Sequence, residues 1–363
     1  MSWTARELFG AVELVDWPGP ERPRLHMVID TEESFDWRGP FRRDARDLRA
    51  LRALPGFVQR LEAFGLVPTC VVTWPIAVEP DGRAILGELL AAGRIALGAH
   101  LHPWVTPPYE EPLGSATSYA GNLPPALEAA KLALLTERIG EAFGSRPTVY
   151  KAGRYGLGPA TAASLLELGY RIDTSGYPNR DLGADGGPDF RAMPDRPFRF
   201  GPGRRLLELP MSCAWIGGLG TCRGAARLVE APPARRFRLG GILARLRLLE
   251  RVTLTPEGFT AGELRRLARA LVARGHRVLC LSLHSPSLAP GNTPYAPDVS
   301  ACTALVDRVT GVLETVLGEL GGTPATARGL LAEAEATAAP ESGRPCLSPA
   351  DGAAGSDRRG SAG

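Results

Sequence analysis

The feature that most constrains this chain is a repeated punctuation. Short apolar runs break off on polar or charged residues and alternate with amphipathic stretches. The runs are Leu25–Asp30, Thr69–Thr73, Ile95–His100, Thr148–Ala152, Tyr170–Asp173, Leu206–Leu209 and Arg277–His284. Helical periodicity fills Leu48–Phe64, Arg83–Ala92, Ala126–Phe143, Pro159–Leu168, Ala261–Arg274 and Asp298–Leu320. Pro159 suits a first helical turn, and Gly93, Gly169 and Gly275 stand where helices stop. Strand–helix alternation predicts an α/β fold with a parallel sheet and helices outside it. Seven runs in one chain of 363 residues predict a distorted (β/α)7 barrel over an open doubly wound sheet. No Gly-rich turn follows the first run, which disfavours a nucleotide-binding open sheet.

The barrel is expected over residues 24–320, after an N-terminal extension over 1–23. An arginine-rich insertion, 223–251, is expected to interrupt it between the last two strands. Its plain reading is a solvated cover; a weak membrane-surface or anionic-substrate contact is the sharper one. Residues 321–363, rich in Ala, Gly, Ser and Pro, are expected to form a disordered tail. A net charge of +3 gives no footprint for nucleic acid. Lys131 and Lys151 are the only lysines, which reads as compositional bias towards arginine. The six cysteines form no Cys-x-x-Cys pair, so no disulfide framework is expected. Charges interrupt the first residues before any signal-peptide core can form, and no run nears the ~20 apolar residues of a membrane span. A cytoplasmic setting is therefore expected.

Chemistry concentrates where the runs end. Asp30 and Glu32 are two apart, so an extended strand turns both to one face and Glu33 to the other. The plain alternative is a loop that simply turns polar. His100 and His102 are also two apart, and two histidines with a carboxylate are a common set for a catalytic divalent metal. A buried pair bonded to backbone is the alternative for them. His284 ends the last run, at the face where barrels carry their active sites. Arg154, between glycines after the fourth run, suits either a bidentate grip on a carboxylate or a surface ion pair. Asp173 ends the fifth run, where it would orient His284 or cap the next turn. His26 shares a strand face with Asp30 but lies about 13 Å away by strand rise, at the opposite end of the barrel. Trp37, Trp104, Tyr109 and Tyr155 follow strand ends and offer ring faces to a sugar.

The segments DTEESFDW, HLHPW, AGRYG and LHSPSLAPGNTPY, in that order, resemble the polysaccharide deacetylases with NodB homology, carbohydrate esterase family four, in a divergent, WalW-like branch. The likeness runs from about Leu25 to Pro294. It implies the distorted seven-stranded barrel of that family and a metal-dependent hydrolase that removes acetyl from an N-acetylated sugar. Asp30 matches the family's base, Glu32 the acidic ligand, and His102 the second histidine. The two histidines stand two apart here instead of the family's four. Arg154 matches the arginine that contacts the base, and His284 the general acid. The implied cofactor is a divalent metal, Zn2+ first, with Co2+, Mn2+ or Ni2+ as substitutes. The implied partner is an N-acetylated saccharide, within exopolysaccharide or cell-envelope glycan synthesis. Two other readings use the same residues: a metal-dependent amidohydrolase on a small C–N substrate, and an inactive barrel that only binds saccharide.

Overall fold

The computed structural model describes residues 2–17, 22–36, 39–231 and 239–338. Strands are numbered along the chain. β1 is Glu13–Leu14, β2 Arg24–Thr31, β3 Thr69–Val72, β4 Ala96–Leu101, β5 Val149–Ala152 and β6 Ile172–Asp173. They continue as β7 Phe198–Phe200, β8 Leu206–Glu208, β9 Cys213–Ile216, β10 Glu250–Thr253, β11 Val278–His284 and β12 Thr323–Pro324.

The main sheet runs β1-β7-β8-β6-β5-β4-β3-β2-β11, with β12 pairing the first residues of β2. From β8 through β11 the seven strands are parallel, while β7 and β1 extend the sheet antiparallel. The result is an α/β fold whose curled sheet wraps part-way round a barrel axis. β2 and β11 pair over seven residues and are almost wholly buried, as parallel strands covered on two faces must be.

Among the described residues, backbone pairing does not close the barrel between β8 and β11. Single contacts span that seam. The N–H of Cys280 donates to Ser212 Oγ at 2.9 Å and the N–H of Ser282 to the carbonyl of Leu254 at 3.2 Å. These satisfy edge groups that burial would otherwise leave costly. Strict strand–helix alternation also stops at β6. The stretch from Thr174 to Arg205 is dense in Gly, Pro and Asp, so it returns through loops and the antiparallel β7 in place of a helix.

Helices cover the outer face where periodicity put them. Pro125–Phe143 ends on Gly144 at φ 69°, and Ala261–Ala273 opens with a Thr260–Glu263 capping box. The expected helix Leu48–Phe64 is a 3-10 turn, Arg49–Ala53, leading into Leu54–Glu62. The expectation for the tail needs correction. Thr323–Pro324 pairs with β2 and the helix Ala327–Ala338 buries Ala327, Leu330 and Ala334, so residues 321–338 are built into the fold. Small residues here pack closely, a reason for Ala-richness other than disorder. Residues 339–363 lie outside the described ones. The N-terminal segment likewise joins the fold, through β1 and the helix Ala5–Phe9, whose Phe9 packs edge-on to Phe198 and Phe200. The arginine-rich segment lies between β9 and β10, an antiparallel pair outside the main sheet, and contains helices Arg223–Glu230 and Leu239–Arg245. Among the described residues, no helix is long and apolar enough to cross a membrane.

Candidate active site

Side-chain alternation on β2 sends His26, Val28 and Asp30 inward, while Met27 and Ile29 face the helices. The register pairs Asp30 with His284 on β11, and His100 on β4 with Lys151 on β5. Two adjacent pairs of strands, β2 with β11 and β4 with β5, separated by β3, thus bring Asp30, His100, Lys151 and His284 to the same end of the sheet. The chain leaving β2 adds Glu32, and that leaving β4 adds His102. All except His284 are almost fully buried, and they line one cavity of about 480 Å³, a size suited to a small ligand.

Glu32, His100 and His102 converge. One ligand atom from each lies within 4.8 Å of the others. His100 Nε2 is 3.6 Å and His102 Nε2 3.3 Å from Glu32 Oε2. The outer ring nitrogens are engaged elsewhere. His100 Nδ1 meets the carbonyl of Lys151 at 2.9 Å, and His102 Nδ1 meets Glu33 Oε1 at 2.9 Å. With Nδ1 held in both rings, each Nε2 points at Glu32, the usual way a protein aims metal-ligating histidines. Glu32 Oε1 is buried and has no hydrogen-bond partner among the described residues. A buried acceptor left unpaired beside two imidazoles is a donor set that fits a divalent cation. Burial pushes the Glu32 carboxyl up, but His284, His100 and His102 together drive it well below the usual range. Burial likewise opposes charge on His102, yet Glu33 and Glu32 raise it to about 9. The cluster favours positive charge at its centre.

Glu33 does not turn away as strand alternation predicts. The strand has ended, and the turning backbone buries Glu33, which accepts from Thr73 Oγ at 2.8 Å with its other oxygen. His102 stacks on Trp104 with ring centroids 4.1 Å apart. Gly153 makes that approach achievable: a Cβ there would sit 2.6 Å from His102 Cδ2 and closer still to the Leu101 carbonyl. The loop after His102 is pinned from below by Lys131, whose buried ammonium donates to the carbonyls of Pro103, Thr106 and Pro108 and pairs with Glu111 at 3.1 Å.

Two expected partners are replaced. Asp30 is gripped by Lys151, not by Arg154. Lys151 Nζ lies 2.7 Å from both carboxylate oxygens and 3.1 Å from Ser282 Oγ. Lys151 is an inward position of β5, whereas Arg154 lies past the strand at φ 54° and points along the cavity wall, over Tyr119 and towards Ser118. Burial pushes the Asp30 carboxyl up, and Lys151, His100 and His284 more than offset it, holding it ionised below the usual range. Asp173 does not orient His284. It accepts from the N–H and hydroxyl of Ser175, and burial raises it to about 6. Its neighbour Glu208 is raised further, by burial and by Asp173 itself. The partner of His284 is Glu257, whose Oε2 is 2.7 Å from Nδ1 and whose Oε1 accepts from Ser287 Oγ and the His284 N–H. Burial lowers the His284 imidazole, but Glu257 first, then Glu32 and Asp30, raise it to about 10. Its Nε2 stands 3.5 Å from Asp30 Oδ2. The cavity thus sets an ionised carboxylate and a protonated imidazole side by side, each held by its own buried partner.

Of the four aromatics singled out from sequence, Tyr155 lines the cavity, with Phe41, Tyr119, Tyr177, Phe259 and Tyr295 beside it. Trp104 is a platform for His102, Tyr109 packs against Arg43 and Lys131, and Trp37 lies outside the described residues.

No family model matches this chain, and no curated protein matches it. Solved structures resemble it at low identity. A provisionally named polysaccharide deacetylase from Mycobacterium smegmatis aligns with a TM-score of 0.49 and 16% identity, covering 94% of this chain and 99% of that one. The chitin deacetylase from Colletotrichum lindemuthianum aligns at 0.40 and 12%, over 88% and 90%. A pseudoenzyme of carbohydrate esterase family four from Bacillus anthracis aligns at 0.40 and 10%, over 87% and 67%. At this level of likeness the function has to be argued from the site.

Proposed function

We propose that this protein is a metal-dependent deacetylase of the NodB-homology type, which hydrolyses the amide of an N-acetylated sugar. The observation that carries the reading is the pairing of Asp30 and His284 across β2 and β11, 3.5 Å apart, beside the Glu32–His100–His102 cluster. A base for water, an acid for the leaving amine and a Lewis acid for the carbonyl together make one sufficient set for hydrolysing an unactivated amide, and this cavity has residues suited to each.

Glu32, His100 and His102 would hold a divalent cation, zinc being the first choice for two imidazoles and a carboxylate. Such a cation supplies Lewis acidity towards the acyl carbonyl and makes water more acidic. Asp30, kept ionised by Lys151, takes a proton from the attacking water. His284 Nε2 gives its proton to the amide nitrogen as the C–N bond breaks. Glu257 holds the other ring nitrogen, so the imidazole presents one fixed N–H to the leaving group. Acetate and a free amine result, with atoms balanced by one water.

The test pairs metal content with turnover. Elemental analysis should find about one zinc per chain, lost in His102→Ala, and Asp30→Asn should lower acetate release ~10²–10⁴-fold. Wild-type protein that takes up no metal after loading and desalting would defeat the reading.

A further inference from the structure

The cavity holds cationic side chains that this mechanism does not use. Arg180 lines it, yet its guanidinium makes no hydrogen bond or ion pair with any described residue; it lies 5.1 Å over the Tyr177 ring. Its neighbour Arg251, from the arginine-rich segment, is committed to Glu230 at 2.8 Å and to the Asn179 carbonyl at 2.9 Å. Burial lowers the Arg251 guanidinium, and the nearby charge of Arg180 lowers it further. Arg154, on the same wall, bonds Ser118 and the Ser115 carbonyl; its nearest carboxylate is the largely exposed Asp185, 3.8 Å away.

The backbone keeps this wall in place under strain. Arg154 and Tyr155 are consecutive non-glycine residues in the left-handed region, at φ 54° and 61°. Such conformations persist where surroundings over-determine them, typically at ligand sites. Ring contacts connect the reacting end to the arginine. Lys151 Nζ, which holds Asp30, is 5.2 Å from the Tyr155 ring; Tyr155 is 4.6 Å from Tyr177; and Arg180 lies over Tyr177. The carboxylates nearest the chemistry are already committed: Asp30 to Lys151, Glu257 to His284, and Glu32 to the histidines.

We infer that Arg180, assisted by Arg154, forms an anion-recognising subsite in the same cavity, so the sugar acted on carries a phosphate or carboxylate group away from its acetamide. The inference rests on the deacetylase reading for the identity of the sugar, but not for the binding of the anion. An unpaired guanidinium beside aromatic faces suits a planar or tetrahedral oxyanion borne on a ring that stacks. A neutral chitin-like chain would leave that charge unanswered.

Calorimetry with glucosamine, glucosamine 1-phosphate and muramic acid tests the subsite, because none carries an acetyl group to be turned over. Acetate release from the N-acetylated counterparts is measured in parallel. One or both anionic sugars should bind about tenfold or more tightly than glucosamine. That advantage should shrink with added salt, fall about tenfold in Arg180→Gln and be only partly kept in Arg180→Lys, which retains the charge without the planar fork. Using the ratio of affinities removes any general loss of folded protein, and the salt series needs no variant. Phosphate preferred over carboxylate, or the reverse, tells which group is recognised. Equal affinity for all three sugars, or an advantage untouched in Arg180→Gln, overturns the subsite. Arg180-dependent binding with no acetate released from any counterpart keeps the subsite and removes the deacetylase reading. Acetate released equally well from neutral and charged sugars does the opposite.

Discussion

His26 offers a direct test of the strand alternation that places the site. It shares the inner face of β2 with Asp30, is 1% exposed, and neither ring nitrogen has a hydrogen-bond partner among the described residues. Burial alone lowers its imidazole from the ordinary 6.5 to about 4. The unfolded chain therefore takes up a proton as pH falls through 6.5, and the folded chain does not until about 4. Stability is intact above 6.5 and is lost progressively down to about 4. By proton linkage, the shift from 6.5 to about 4 corresponds to about 3 kcal/mol over the whole window, of which about 2 kcal/mol is gone by pH 5. His26→Leu fills similar space and removes both the titration and the unpaired nitrogens. Urea denaturation of the two proteins at pH 7.5 and pH 5 measures the difference. The variant should match or exceed wild type at pH 7.5, and its advantage should grow by about 2 kcal/mol at pH 5. Other titrating groups cancel in the comparison. An advantage that does not change with pH would mean that His26 is solvated or bonded, and that the inner face of β2 is misassigned.

Two further outcomes follow from the partners of Asp30 and His284. Lys151→Met leaves a buried carboxylate without its cation and should destabilise the fold by about 3–5 kcal/mol, much of it recovered on adding Asp30→Asn; Arg154→Gln should cost under about 1 kcal/mol. Equal losses for the two single variants, in chemical denaturation, would contradict the pairing. Glu257→Gln removes the negative charge that most favours the His284 imidazolium. Its titration, followed by NMR of the ring protons, should move down from about 10 by about one pH unit or more, and the basic limb of the activity profile should move with it.

The residues that meet at the site were legible wherever a strand ended on them. Asp30, His100 and His284 each close an apolar run, and counting on by two from the first two reaches Glu32 and His102. The same count reaches a residue inside a run as well as those at its end. Lys151 stands inside the run Thr148–Ala152, two after the inward Val149, and a lysine there is too costly to bury without a partner. Arg154 is a better carboxylate ligand by chemistry but lies past the strand and is turned along the wall. Glu257 is not legible in the sequence because the strand before it, Glu250–Thr253, continues an arginine-rich segment with no alternation to mark it. Asp173 ends a strand of only two residues, and at that length position in the run says little about which strands will be neighbours. The tail helix was hidden by composition, since close packing and disorder both favour small residues.

The two lysines have a practical consequence. Forty of the 42 basic residues are arginine, and both lysines, Lys131 and Lys151, are almost completely buried in ion pairs. Amine-reactive reagents and lysine-specific proteases should therefore find little to attack in the folded chain beyond its α-amino group. Their reaction with these two side chains would report the opening of the cavity wall and of the loop beneath it, making the native protein its own clock for the motions that admit a substrate.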